Sequence, residues 1–189
     1  GRRRMDPSVP ELIVVMPVFN EQASVRKVVM EFFEEIENWT ERFIFLALDD
    51  GSTDDTPTVL ERLRVQLGPR FVILRHANRG HGQTCLVGYR EAATRGAPLI
   101  LQIDSDGQCD PQYFFRFWRL RDRADVIYGD RTRRDVEAIV CRRLGSRAVG
   151  VRRSRLAVDD RAMEGVLHVP SAVRLPEQGL AGEIGRAHG

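Results

Sequence analysis

LIVVMPVFNEQASVRKVVMEFFEEIE, residues 12–37, is the stretch that decides the fold class. Leu12 to Met16 form a short apolar run that Pro17 ends, which predicts a buried strand with its carboxyl end at Pro17 to Glu21. From Val25 onward the apolar residues recur at helical spacing, which predicts an amphipathic helix. A buried strand followed at once by a helix is the repeating unit of α/β proteins.

The same alternation continues along the chain. Further strands are predicted at Phe43–Leu48, Phe71–Leu74, Leu99–Ile103 and Val126–Tyr128, and further helices at Pro57–Gln66, Cys85–Thr94 and Tyr113–Leu120. Strands that alternate with helices of this length predict a mostly parallel central sheet with helices on both faces. Beyond about Val149 no long periodic segment is present, so no element is predicted there.

Polar loops follow the first four predicted strands. Ligands of open α/β sheets sit beyond the carboxyl ends of the strands. We therefore expect four loops to converge on one crevice, namely MPVFNE (16–21), LDDGSTDD (48–55), the loop of residues 78–83, and DSDGQ (104–108).

DSDGQ carries the strongest signal for chemistry. Asp104 and Asp106 come directly after a strand, and two carboxylates so placed can hold a hard divalent cation while leaving positions for water and diphosphate oxygens. The alternatives are a solvated acidic turn and a calcium loop. An EF-hand loop has Gly at its sixth position and a helix before it, whereas Gly107 is fourth and a strand precedes it, so calcium is disfavoured.

The second acidic loop offers hydrogen-bond acceptors for a nucleoside. Asp49 or Asp50 can accept from a base or a ribose, and Gly51 permits a tight turn. The alternative function of this loop is helix capping, which suits residues 52–55 but does not explain an acidic doublet on the strand side of the turn.

The loop of residues 78–84, NRGHGQT, contains two glycines before a predicted helix, so its amides could approach a phosphate. It fails as a dinucleotide fingerprint because Cys85 stands where the third glycine belongs. His81 is interpreted as a structural loop residue.

Composition predicts one soluble globular domain, with 42% hydrophobic and 30% charged residues. Three widely spaced cysteines indicate neither a disulfide framework nor a zinc site. The longest apolar run, Leu12 to Phe19, is too short to span a membrane, and the basic start lacks a signal-peptide pattern, so a cytoplasmic location is expected.

The segment from Tyr113 to Arg155 is rich in arginine, with thirteen arginines and only five acidic residues. Such a positive cluster suits phosphate, nucleic acid or an anionic membrane surface.

The motifs, taken in order, resemble the signature of family-two glycosyltransferases, especially dolichol-phosphate mannose synthase-like members. The residues that carry the resemblance run from about Leu12 to Arg147 and comprise VVMPVFNE, LDDGSTDD, NRGHGQT, QIDSDGQCDP and YGDR. The resemblance implies a GT-A fold, which is a Rossmann-like sandwich. It also implies inverting transfer of a hexose from a GDP- or UDP-sugar donor, with Mg²⁺ or Mn²⁺ as cofactor.

The resemblance further implies roles for individual residues. The nucleotide-binding residues are Pro17, Phe19, Glu21, Asp49, Asp50 and Asp104. The metal motif comprises Asp104, Asp106 and Gln108. The catalytic residues are Asp106 and Arg131, and the acceptor-phosphate residues are Arg131, Arg142 and Ser146.

The acceptor is expected to be a lipid phosphate. Family members that act on sugar hydroxyls usually carry a further acid as general base and often a QxxRW motif, and neither is recognisable here; Asp159 and Asp160 are the acidic doublet left in the second half. A phosphate is already a nucleophile at neutral pH and needs no base. We expect a polyprenyl phosphate, dolichyl or undecaprenyl, with the protein peripheral at the cytoplasmic face of a membrane and no nucleic acid as partner.

The expected organisation is an N-terminal extension (1–11), a nucleotide-sugar-binding domain (12–148) and a short acceptor-side segment (149–189), truncated or altered relative to the family. Two other functions fit parts of the pattern. A nucleotidyltransferase is also α/β and metal-using, but it would carry a basic Gly-rich loop after the first strand. A non-catalytic nucleotide-sugar-binding or membrane-surface protein would bind a nucleoside diphosphate without turnover.

Overall fold

The computed structural model describes residues 8–122, 126–129, 138–142 and 172–175. The strands are β1 (Leu12–Val18), β2 (Phe43–Asp49), β3 (Phe71–Arg75), β4 (Leu99–Ile103), β5 (Val126–Gly129), β6 (Ala138–Arg142) and β7 (Ala172–Leu175). The α-helices are α1 (Val25–Glu37), α2 (Thr56–Leu67), α3 (His81–Thr94) and α4 (Phe114–Leu120). Short 3₁₀ helices lie at Gly68–Arg70 and Pro111–Tyr113.

These strands form one sheet in the order β3-β2-β1-β4-β6-β5-β7. The first four in this order are mutually parallel, β6 is antiparallel to both of its neighbours, and β5 pairs with β7 in parallel. The predicted mostly parallel α/β sheet is therefore confirmed. Since β6 reverses the direction once and β5 reverses it again, the carboxyl end of β5 lies at the same edge of the sheet as those of β1 to β4.

Helices cover both faces of the sheet, as predicted. One apolar cluster contains residues of α1, α2 and α4 packed on the strands, and its largest side chains include Phe32, Phe45 and Phe117. The other face carries α3, where Ala92 packs with Val15 and Leu48 of the sheet. Both faces of the central strands are therefore buried, which explains why they read as continuous apolar runs.

β1 continues past its predicted end. Pro17 lies inside the strand, where it pairs with Leu48 of β2. On the other side, β4 pairs with β1 only as far as Val15. From Met16 onward β1 therefore has a single described neighbour, and a proline can be accommodated where one side of a strand is unpaired.

α3 begins at His81, four residues before its predicted start. Gly80 is the N-cap residue and has a φ of 87°, a conformation that glycine adopts without strain. The two glycines had indicated a loop, but Gly82 lies within the first turn of the helix. β7 lies in a region where no element was predicted, because the apolar pieces there are short and interrupted by Gly and Pro. The predicted domain boundary at residue 148 lies outside the described residues.

Candidate functional site

An open cleft of about 250 Å³ lies at the carboxyl edge of the parallel strands. All four of the polar loops contribute to its wall, so the predicted convergence is confirmed. The lining residues are Pro17, Val18, Phe19, Glu21, Asp50, Asn78, Gly80, His81, Asp104, Ser105 and Asp106. Phe19 leaves 46% of its surface exposed, so it presents apolar area at the cleft.

The two carboxylates of the acidic doublet have different surroundings. Asp49 is fully buried, accepts hydrogen bonds from Ser52 N at 2.9 Å and Arg75 Nε at 3.0 Å, and is not part of the cleft wall. Asp50 does line the cleft. Asp50 can therefore contact a molecule bound in the cleft, whereas Asp49 cannot.

Asp50 also holds the third loop. Its two carboxylate oxygens accept from Arg79 N at 2.7 Å and Gly80 N at 3.0 Å, and His76 Nδ1 lies 3.3 Å away. Beside it, Gly51 has a φ of 78°, and a Cβ there would lie 2.8 Å from Asn78 N. Only glycine allows the second and third loops to approach this closely.

The fourth loop carries the predicted metal motif. Asp104 and Asp106 line the cleft, and the backbone between them is held by Ser24, whose hydroxyl lies 2.9 Å from Ser105 O. Asp106 Oδ1 accepts from Gln108 N at 2.9 Å, which closes the turn. Gln108 itself is exposed and does not belong to the cleft wall.

His81 is the site residue that sequence reasoning missed. It lies in the first turn of α3 and lines the cleft, with Nε2 3.0 Å from Asp104 Oδ1 and Nδ1 3.9 Å from Cys85 Sγ. The hydrogen bond to Asp104 raises the pKa of His81 to about 11, and the contact with Cys85 adds to the effect against the opposing effect of burial. No local pattern could have revealed this pair, because its members are 23 residues apart.

The site offers few ligands for a metal ion. Within the described part of the chain, no group of three or more His, Cys, Asp or Glu side chains is arranged to hold one. Asp104 and Asp106 nevertheless offer hard oxygen donors in the cleft wall, and Mg²⁺ is commonly bound by one or two carboxylates together with substrate phosphates and water. The residues therefore fit a cation that arrives with a diphosphate, held by Asp104 and Asp106.

The predicted acceptor-phosphate residues are only partly described. Arg131 and Ser146 lie outside the described residues. Arg142 ends β6, where its backbone pairs with Leu99, whereas Ala138 at the start of β6 pairs with Ile103 beside the cleft. Four residues of strand place the Arg142 Cα about 13 Å from that of Ala138, at the opposite edge of the sheet. The backbone of Arg142 therefore lies away from the cleft edge of the sheet.

None of the described helices is long and apolar enough to cross a membrane.

Comparison with known proteins identifies the relatives of this chain. The model of a family described as "Glycosyl transferase family 2" matches residues 13–164. An undecaprenyl-phosphate 4-deoxy-4-formamido-L-arabinose transferase of Pseudomonas syringae is 26% identical over 117 residues, which are 61% of this chain and 34% of that protein. A dodecaprenyl-phosphate galacturonate synthase of Rhizobium johnstonii is 35% identical over 104 residues, 54% of this chain and 30% of that protein. The chain thus spans about a third of the length of these relatives.

Solved structures share the fold. TarS of S. aureus, solved in complex with UDP-GlcNAc, is 20% identical with a TM-score of 0.51, and the match covers 64% of this chain and 34% of that one. A mannosyltransferase of Pyrobaculum calidifontis in complex with GDP-Man and Mn²⁺ is 16% identical with a TM-score of 0.52, covering 73% and 46% of the two chains. Together with the sheet order, these neighbours identify the architecture as a GT-A fold.

Proposed function

This chain belongs to glycosyl transferase family 2, and from that membership we propose that its cleft binds a nucleotide-sugar whose sugar is transferred, with inversion, to a polyprenyl phosphate. The observation that carries the proposal is the meeting of the four loops, which places three aspartates, an exposed aromatic ring and the start of a helix around one cleft. The nucleoside and the diphosphate of the donor are assigned to different parts of this cleft.

The nucleoside is assigned to the first two loops. Phe19 and Pro17 offer apolar surface for a base, and Glu21 and Asp50 offer carboxylate acceptors for base or ribose groups. Asp50 already accepts two backbone amides, so its remaining lone pairs are the ones available to a nucleoside. Asp49 supports this loop from behind the cleft.

The diphosphate is assigned to the third and fourth loops. The first turn of α3 begins in the cleft, and the partial positive charge at a helix N-terminus favours phosphate there. Asp104 and Asp106 would hold Mg²⁺ or Mn²⁺, which would neutralise charge on the leaving diphosphate. The acceptor oxygen attacks the anomeric carbon from the opposite side as the bond to the diphosphate breaks, and this inverts the configuration.

A phosphate acceptor is proposed because it needs no general base. Of the described titratable side chains in the cleft wall, Glu21 and the aspartates are assigned to the donor and the cation, and the raised pKa of His81 disfavours its neutral, basic form. A phosphate monoester with a second pKa of about 6 is already ionised at neutral pH. The two curated relatives are named for transfer to, or synthesis of, polyprenyl phosphates. The arginine-rich segment supplies matching charge, and we propose that the protein meets this acceptor at the cytoplasmic face of a membrane.

Arg131 is proposed as an acceptor-phosphate residue from the sequence resemblance. The chain leaves β5 at Gly129, at the cleft edge of the sheet, two residues before Arg131. Ser146 remains a second candidate on the sequence resemblance alone. Arg142, at the opposite edge, provides a matched control of the same residue type.

The test is transfer of labelled sugar from a panel of nucleotide-sugars to undecaprenyl phosphate in liposomes, with soluble sugars as alternative acceptors. We expect transfer to the lipid phosphate with Mn²⁺ or Mg²⁺, its loss in Arg131→Ala, and its retention in Arg142→Ala. Transfer to soluble hydroxyl acceptors alone would contradict the lipid-phosphate assignment. Nucleotide binding without turnover on any acceptor would instead favour a non-catalytic binding protein.

A further inference from the structure

Asn20 has an unusual backbone conformation at the centre of the first cleft loop. Its φ is 52°, and it is the one non-glycine residue with a positive φ in the described part of the chain. Asparagine tolerates this left-handed conformation better than most residues, but it still carries strain there. Its two neighbours, Phe19 and Glu21, both line the cleft, so the strained residue sits between two groups assigned to the nucleoside.

The side chain of Asn20 is bonded to the second cleft loop. Its Oδ1 accepts from Thr53 N at 2.7 Å and from Asp54 N at 3.3 Å, and its Nδ2 lies 3.3 Å from Thr53 Oγ1. Its backbone N donates to Ser52 Oγ at 3.0 Å. One exposed side chain therefore satisfies two successive backbone amides of a loop more than thirty residues away.

This attachment is close to the cleft on both loops. On the second loop, the bonded amides follow Asp50 by three and four residues, and Asp50 N itself donates to Val18 O at 2.9 Å. A second hydrogen bond also joins these two loops, in which Asp55 N donates to Gln22 Oε1 at 2.8 Å. Gln22 does not belong to the cleft wall.

We propose that Asn20 is a positioning residue for donor binding, which holds the first two loops in the one arrangement that sets Phe19 and Glu21 opposite Asp50. The left-handed backbone conformation of Asn20 makes this possible. It directs the side-chain amide toward the second loop, while Phe19 and Glu21 remain in the cleft wall. Preorganising the two loops lowers the conformational cost of binding a nucleoside between them. The inference rests on the proposed nucleotide-binding function and names the residue that prepares the pocket.

The test compares Asn20→Gly with Gln22→Ala in the full chain. Glycine adopts a φ of 52° freely, so Asn20→Gly keeps the backbone turn and removes only the side-chain attachment. Gln22→Ala also removes one side-chain bond between the same two loops, but away from the cleft wall. The measurements are the dissociation constants of UDP, GDP, CDP, ADP and dTDP without metal, by calorimetry, and the melting temperature of each variant.

We expect Asn20→Gly to raise the dissociation constant of the bound nucleoside diphosphate about tenfold, while Gln22→Ala leaves it within about twofold and the two variants melt within a few degrees of each other. If Asn20→Gly binds as tightly as wild type, or if Gln22→Ala weakens binding equally, the inference is overturned while the proposed function stands. If wild type binds none of the five nucleotides even when Mn²⁺ is added, the proposed function fails, and the inference fails with it.

Discussion

His81 Nε2 lies 3.0 Å from Asp104 Oδ1, and this contact joins the first turn of α3 to the loop that follows β4. The imidazole ring of His81 therefore contacts Asp104, the first carboxylate of the proposed metal motif. From the sequence, His81 was interpreted only as a structural loop residue. In either protonation state the imidazole can donate from Nε2, so Asp104 is held from the side of α3 while Ser24 holds the next backbone carbonyl.

The first prediction concerns the charge of His81. The hydrogen bond to Asp104 raises its pKa from 6.5 to about 11. A histidine whose pKa is higher in the folded than in the unfolded state stabilises the fold. This stabilisation is complete below the pKa of the unfolded state, and it is lost as the pH rises through the pKa of the folded state. We expect ¹⁵N NMR of the metal-free protein to show His81 protonated at pH 8, whereas in urea it titrates near its ordinary value of 6.5. A folded-state midpoint near 6.5 would contradict the ion pair.

The second prediction concerns the packing of α3 on the sheet. A Cβ added at Gly88 would lie 2.4 Å from Val15 Cγ1 and 3.1 Å from Leu48 Cδ1, whereas a Cβ at Gly82 in the same helix meets nothing within 4 Å. We expect Gly88→Ala to lower the free energy of unfolding by roughly 1–3 kcal/mol through overpacking. Gly82→Ala should leave it unchanged or raise it by about 0.4–1 kcal/mol. Urea denaturation measures both, and equal effects of the two substitutions would show that the close approach of α3 to β1 is wrong.

The sequence predicted what depends on local pattern and on general rules for sheets. The apolar run Leu99–Ile103 and the amphipathic face of α1 gave their elements to within a residue or two, and the rule for carboxyl ends of parallel strands gave the convergence of the four loops. Contacts between distant residues were not predictable, because hydrogen-bond partners such as Asn20 with Thr53 or His81 with Asp104 leave no periodic signal. The short strand β6 was missed, and with it the backbone position of Arg142, because its apolar residues, Ala138 to Cys141, lie inside an arginine-rich segment and show neither a strand boundary nor a direction in the sheet.

The third prediction concerns Asp50. Asparagine has one acceptor oxygen where aspartate has two, so Asp50→Asn leaves either Arg79 N or Gly80 N without its acceptor and loosens the third loop. We expect the dissociation constant of the bound nucleoside diphosphate to rise about tenfold, the equivalent of one to two lost hydrogen bonds. Asp55→Asn is the matched control, because the Asp55 side chain makes no capping hydrogen bond on the same loop. If both variants bind the nucleoside diphosphate with the same dissociation constant, Asp50 does not contribute to the nucleotide pocket.

The fourth prediction concerns the cation. Asp104→Asn and Asp106→Asn each remove a charged ligand from the cleft, and we expect each to lower Mn²⁺-dependent transfer at least about a hundredfold, about 2.7 kcal/mol of transition-state stabilisation. Chelation of the wild-type protein should have the same effect, and electron paramagnetic resonance should detect weaker Mn²⁺ binding with nucleotide in both variants. Asp110→Asn serves as control, since Asp110 lies outside the cleft wall and accepts from Gln112 N at 2.9 Å. Full activity in chelator would contradict metal dependence.

The proposed function requires that a nucleoside diphosphate binds between the four loops. The most direct test is the amide spectrum of ¹⁵N-labelled protein during titration with the nucleoside diphosphate that binds it. We expect the amides of residues 18–21, 50–51, 78–81 and 104–106 to shift together and to saturate with one dissociation constant. Shifts confined to residues outside these four loops, with the cleft amides unchanged at saturation, would contradict it.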